Sequence, residues 1–145
     1  MKPLLLFLAF ATATFTDPPV CSPGAVNPEV TQANIHETIC DSGWTKTVRP
    51  PARFTNKLKR QQMKELNITG SLRDYEEDHR VPLEVGGAPQ DPKNLWPQPW
   101  PEARKKDRLE TAIKKDVCLG ALTLKEGQAI FLGDFWSEYE RRFEN

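Results

Sequence analysis

Six carboxylates crowd the stretch from Asp74 to Asp91, at Asp74, Glu76, Glu77, Asp78, Glu84 and Asp91, against Arg80 as its only Lys or Arg, and His79 sits among them. Cations flank this cluster on both sides. Ser42 to Arg73 holds eight bases and one acid, and Lys93 to Lys115 holds seven bases and three acids. Carboxylate oxygens hold hard cations and Lys or Arg side chains hold phosphates, so this order of charge is what a metal-dependent phosphodiesterase needs. An imidazole with an ordinary pKa of about 6.5 is largely neutral at pH 7 and can take a proton from water. Over the whole chain Lys+Arg and Asp+Glu are 20 each, a net charge of zero, so attraction to a polyanion must come from local patches.

Positioning these residues requires an α+β domain. Tyr75 to Val85 reads as extended, with Val81, Leu83 and Val85 alternating against Arg80, Pro82 and Glu84; Gly86-Gly87 closes the run as a turn, and Asn94-Leu95-Trp96 begins the return arm of a hairpin. Pro97, Pro99 and Pro101 then exclude regular helix or central strand until Pro101 opens a helix, whose Leu109, Ile113 and Val117 form one face and which Gly120 ends. Upstream, the spacing predicts a short helix over Asn27 to Cys40 and a second, capped by Thr55, running through Leu58 and Met63 to about Leu66 and carrying much of the basic block. Downstream, Thr123 and Glu126 form a capping box, which starts a final helix carrying Ile130, Phe131, Phe135, Trp136 and Tyr139 inward. Adjacent strand residues point to opposite faces, so Asp78 and His79 can share one site only if the strand ends or bulges there.

At 145 residues the chain is one small domain's worth of material, which excludes a multidomain machine. Lys2, the apolar run Leu4 to Phe10 and the Ala11-Thr12-Ala13 exit have the form of a secretory signal covering residues 1–13, leaving 14–145 as the mature domain. That run is far shorter than the roughly 20 residues of a membrane-spanning helix. Export to an extracellular or periplasmic space favours one disulfide among Cys21, Cys40 and Cys118; spacing leaves the pairing open, with the local Cys21–Cys40 loop slightly favoured over Cys40–Cys118. The cysteine spacing does not suit a zinc finger.

The run Asp78-His79-Arg80-Val81-Pro82, then Gly86-Gly87, then Asn94-Leu95 and a helix, resembles the HNH (ββα-metal) nuclease motif over about Tyr75 to Glu110, within a motif core of about 74–118. A wider run, including Arg49-Pro50-Pro51 and Trp96-Pro97, is similar to secreted bacterial HNH-like proteins. The resemblance implies a DNA endonuclease of little sequence preference that uses one divalent metal, Mg²⁺ before Mn²⁺, and leaves 5′-phosphate and 3′-hydroxyl ends. His79 would be the general base, Asp78 a metal ligand, and Asn94 the residue that pins the loop and orients His79. This sequence departs from the family on the helix, where Ala103 stands at a ligand position; Asp107, one turn later, is the expected ligand, with Glu102 as substitute and Glu110 more distant. Arg80, Arg104, Lys105 and Lys106 are the expected phosphate contacts, and Trp96 and Trp100 could stack on bases. The expected partner is nucleic acid, DNA before RNA, bound by a monomer. The alternative is a catalytically silent secreted binding module on the same frame, motivated by Ala103 and by a mature charge near −1.

Overall fold

The computed structural model describes residues 22–145; the expected signal segment and Cys21 lie outside them. Among the described residues the protein has five α-helices and one two-stranded antiparallel sheet. These are α1 (Trp44–Val48), α2 (Ala52–Glu65), β1 (Tyr75–His79), β2 (Leu95–Pro99), α3 (Trp100–Cys118), α4 (Leu124–Leu132) and α5 (Phe135–Phe143). No helix among them is long and apolar enough to cross a membrane.

The strand pair is set by its prolines. Pro97 lies opposite Glu77 and Pro99 opposite Tyr75. In an antiparallel ladder every second pair exchanges no backbone hydrogen bonds, so two prolines at alternate positions on an edge strand can both sit where no N–H is required. The ladder is extended past the strands by the Arg80 N–H donating to the Asn94 carbonyl at 2.7 Å. The expected extended run to Val85 stops at His79: residues 83–85 form a 3-10 turn, and Gly86 follows at φ +77°. Gly87 has no room for a side chain, since a Cβ there would lie 1.7 Å from the Val81 carbonyl oxygen.

Helix α3 packs a single stripe, Ala103, Lys106, Leu109, Ile113 and Val117, into the interior. The core around it takes Val81 and Val85 from the loop, Val30, Ile35 and Ile39 from the N-terminal segment, and Phe131, Phe135 and Tyr139 from the C-terminal helices. Where sequence predicts a helix over Asn27 to Cys40, only Gln32–Asn34 forms a 3-10 turn, followed by further turns. Local side-chain bonds hold that backbone instead: the Asn34 amide bridges the Thr31 N–H and the Glu29 carbonyl, and the Thr38 hydroxyl donates to the Asn34 carbonyl. Thr55 is not a cap, because α2 starts at Ala52 directly after Pro51, and the Thr55 hydroxyl bonds back to Ala52. The single C-terminal helix is two. The Thr123–Glu126 capping box opens α4, Gly133 ends it, and Asp134 caps α5 through Ser137.

Cys40 pairs with Cys118, so the local Cys21–Cys40 loop is not the arrangement adopted. The neighbouring residues explain it. Ile39 and Val117 are wholly buried in the same cluster, and burying them carries the adjacent cysteines to a Cα separation of 5.7 Å. A bridge of this kind fits an oxidising compartment. Because it closes a sequence separation of 78 residues, chain-entropy reasoning gives it about 4.5 kcal/mol. Replacing both Cys40 and Cys118 by Ser should lower unfolding free energy in urea by an amount of that order, and a loss under about 1 kcal/mol would show that packing alone holds the N-terminal segment.

Candidate active site

Strand β1 delivers Glu76 and Asp78 on one face by its alternation, and because it ends at His79 the chain can turn His79 toward the same place. Asp78 and His79 both line one cavity of about 160 Å³. They are joined directly, with the His79 N–H donating to Asp78 Oδ1 at 2.8 Å. The cavity volume is several times the ~30 Å³ of a water molecule in the liquid, so a hydrated cation or a phosphodiester group fits while a whole polynucleotide segment must lie outside.

His79 is held by the loop that follows it. Its Nε2 lies 2.9 Å from the Pro89 carbonyl oxygen, which can only accept, so Nε2 carries the proton and Nδ1 carries the lone pair. Burial lowers the pKa of His79 from 6.5, against the opposing effects of the Pro89 carbonyl and Asp78, and keeps the ring neutral at pH 7. Asn94, fully buried, fixes the loop from within. Its Nδ2 donates to the carbonyls of Val81 and Ala88, and its Oδ1 accepts from the N–H groups of Val81 and Ala25. Ala88 adjoins Pro89, so the amide that holds the loop also sets the carbonyl that orients His79.

Lys106 is completely buried. Its ammonium donates to Asp78 Oδ2 at 2.8 Å, to the His79 carbonyl at 2.6 Å and to Glu110 Oε1, and lies over the rings of Trp96 and Phe131. Burial alone would discharge it. The two carboxylates outweigh that and hold its pKa above the usual lysine value, so the group stays an ammonium. Lys106 therefore cannot touch a phosphate, contrary to expectation, and both oxygens of Asp78 are already engaged, Oδ2 by Lys106 and Oδ1 by the His79 N–H.

Around the cavity Glu76, Glu84, Asp107, Glu110, Arg49 and Thr111 join Asp78 and His79. Carboxylates predominate. Burial, then repulsion from Asp78 and Asp107, raises the Glu76 pKa to about 7. Asp107 is raised by burial and by Asp78, and Glu110 by burial against the attraction of Lys106. Glu76 Oε2 and Glu84 Oε2 are buried without a hydrogen-bond partner. Crowded, partly desolvated oxygens with unfilled lone pairs suit a hard divalent cation in kind and number. Among the described residues no three His, Cys, Asp or Glu side chains form a ready-made ligand group. A cation would have to draw at least one carboxylate inward by side-chain rotation.

The remaining expected residues divide. Asp107 lines the cavity, whereas Glu102, in the first turn of α3, is not part of its lining, and Ala103 is wholly buried in the interior. Arg80 is buried and donates to the carbonyls of Leu132 and Gly133 at the end of α4, beside the Phe135 ring, so it ties the loop to the C-terminal helices and cannot reach a phosphate. Arg104 and Lys105 are exposed; the first lies over Trp100 and the second pairs with Glu144. Trp96 is partly buried and packed against the core, and Trp100 is exposed. The sequence places Glu76 and Glu84 in the acidic cluster and Arg49 in the basic block, but it assigned neither these three nor Thr111 to the site. Glu76 was within reach of the two-residue strand period that relates it to Asp78, but nothing local marks Arg49 as a cavity residue.

No family model, curated protein or solved structure matches this chain.

Replacing Lys106 by Met keeps an unbranched side chain one atom shorter and removes its charge, leaving Asp78 and Glu110 buried against each other. The expected cost is about 3–5 kcal/mol, read from urea unfolding, and an unchanged midpoint would mean that this ion triad does not support the fold. A second consequence concerns pH. Glu76 and Glu77 have pKa values raised from 4.5 to about 7 and about 8, each chiefly by burial. A carboxyl with a raised folded pKa stabilises below its unfolded value and loses that contribution as pH rises through the folded one. Below pH 6.5 the lowered pKa of His79 acts in the opposite sense, so in EDTA the fall in thermal stability should be clearest from pH 6.5 to pH 8.5, and a flat profile over that window would contradict the crowding.

Proposed function

We propose that the protein is a metal-dependent endonuclease of the HNH (ββα-metal) type, hydrolysing phosphodiester bonds in DNA with little sequence preference, after export from the cell. The observation that carries this reading is the orientation of His79: the Pro89 carbonyl holds the Nε2 proton and leaves Nδ1 as a neutral base in a carboxylate-lined cavity. The order β1, glycine loop, β2, α3 supports it as the hairpin and helix of that frame.

In this mechanism His79 Nδ1 takes a proton from the attacking water. Asp78, through the lone pair of Oδ1 that the His79 N–H leaves open, and Asp107 would hold the cation, with Glu76 and Glu110 beside them and Glu102 outside the set. Oxygen donors select Mg²⁺ or Mn²⁺, which supplies charge neutralisation at the phosphoryl and leaving oxygens. Arg49, the Lys or Arg side chain in the cavity lining, would hold a non-bridging phosphate oxygen. Asn94 is a positioning residue, since it acts on His79 through the loop. The silent binding module remains the second reading because Lys106 already engages Asp78.

Nicking of supercoiled plasmid with Mg²⁺ or Mn²⁺, compared with EDTA, tests the proposal. His79→Ala should retain the fold and lose activity by about 10²- to 10⁴-fold. The acid limb of the activity profile should lie below pH 6.5, because burial lowers the His79 pKa and the neutral ring is the active form. Absence of cleavage from folded protein with either metal would leave the binding module as the better reading. Mg²⁺ should also raise the melting temperature more at pH 8.5 than at pH 5, where the cavity carboxyls hold protons in competition with it.

A further inference from the structure

Helix α2 carries Arg53, Lys57, Arg60 and Lys64 at intervals of four, three and four residues, which places all four on one face. All are exposed, and none forms an ion pair with a described residue. The other lysine of the helix is used differently: Lys59 turns inward and donates to the carbonyls of Leu72 and Tyr75, fastening α2 to the start of β1. That leaves the stripe of four cations without a task in the fold. Four like charges within three turns repel one another, and a row of phosphates would relieve that repulsion.

The stripe also has a position. Pro50 and Pro51 separate Ala52, the first residue of α2, from Arg49, which lines the cavity. Gln62, on a different face of the same helix, donates to the Leu95 carbonyl at 3.0 Å and so anchors α2 on the strand pair that carries Asp78 and His79. From Arg53 to Lys64 the helix rises about 16 Å, which matches the axial rise of four to five phosphates along one DNA strand at roughly 3.4 Å each.

We propose that the cationic face of α2, Arg53, Lys57, Arg60 and Lys64, is the track that holds the sugar-phosphate backbone of duplex DNA and leads one strand to Arg49 and the cavity. This deepens the proposed nuclease and rests on that reading for the direction of the strand, while the binding itself can be measured without cleavage. The contacts are to phosphates alone, so binding is independent of base sequence and steeply dependent on salt.

The test is fluorescence anisotropy of a labelled duplex in EDTA over a range of salt. It compares the disulfide-bonded chain, the variant Arg53→Gln/Lys57→Gln/Arg60→Gln/Lys64→Gln, and a control with the same charge removed at Lys114, Lys115, Lys125 and Arg141. The track predicts that the α2 variant alone binds less tightly, by at least about 100-fold at 0.1 M salt, with the slope of log K against log salt reduced by about 3.6. Equal loss in the control, or no loss in the α2 variant, overturns it. Binding of the unaltered chain to anionic phospholipid vesicles but not to duplex overturns it in favour of a membrane surface. Hydrolysis of bis(4-nitrophenyl) phosphate by the unaltered chain is scored separately, so loss of duplex binding in the α2 variant without any hydrolysis sustains the track and removes the nuclease.

Discussion

The Lys106 ammonium lies in the interior between Asp78, Glu110 and the carbonyl of His79, and a charge placed there is tolerable only while all three oxygens stay in reach. Removing an ammonium from water costs several kcal/mol after relaxation, and the opposing charges recover that only at hydrogen-bonding distance. The requirement acts on geometry. It fixes the rotation of α3, which must present Lys106 inward, and it fixes the end of β1, which must bring the Asp78 carboxylate and the His79 carbonyl to the same point. An apolar residue in place of Lys106 could slide along its neighbours with little penalty; an ion triad cannot. The triad sets two carboxyl groups against one ammonium, and burial raises the pKa of Glu110 to about 8, so its proton is given up only in mildly alkaline solution or to a competing cation; Glu76 and Asp107 adjoin it at the cavity wall with their own pKa values raised.

Asn94 applies the same logic to the loop. Its four hydrogen bonds satisfy main-chain groups of Ala25, Val81 and Ala88 that the short strand pair leaves unpaired. Gly87 permits the loop to fold onto itself, since its own position touches both the Val81 carbonyl and the Asn94 amide. The Pro89 carbonyl arrives at His79 Nε2 as the product of this packing. Lys106 fixes the backbone of His79 and the Asn94 loop fixes its ring.

Much of this was legible in residue types. Asp78, His79, Gly86-Gly87 and Asn94 announce a loop and its pin, and Pro101, Gly120 and the Thr123–Glu126 pair mark helix ends that the structure contains. Lys106 was misread because a lysine beside Arg104 and Lys105 looks like part of a solvated face. Its phase held the contrary signal, for it falls on the stripe of Leu109, Ile113 and Val117, whereas Asp107 does not. Arg80 was misread for a different reason: its partners, the last carbonyls of α4, lie more than 50 residues away and no local pattern encodes them. The Cys40–Cys118 pairing and the place of Arg49 likewise depend on contacts between distant segments. The break at Gly133-Asp134, like the phase of Lys106, had a local cause in plain view, a glycine followed by a residue able to cap.

A net charge of zero conceals a strong separation of sign. The cavity gathers Glu76, Asp78, Glu84, Asp107 and Glu110 with Arg49 alone as a fixed cation in its lining, while α2 turns four of its bases, Arg53, Lys57, Arg60 and Lys64, to solvent. A phosphate drawn to the α2 face would still meet repulsion at the cavity. On the proposed reading the divalent cation therefore has a second effect besides its part in hydrolysis: it changes the sign of the cavity's potential, so that the outer bases and the inner site attract the same strand. The raised pKa values of Glu76 and Asp107 show why that step is favourable, since their carboxylates are held in an environment that penalises their charge until a cation offsets it. The same burial that makes these groups poor isolated anions makes them ready ligands.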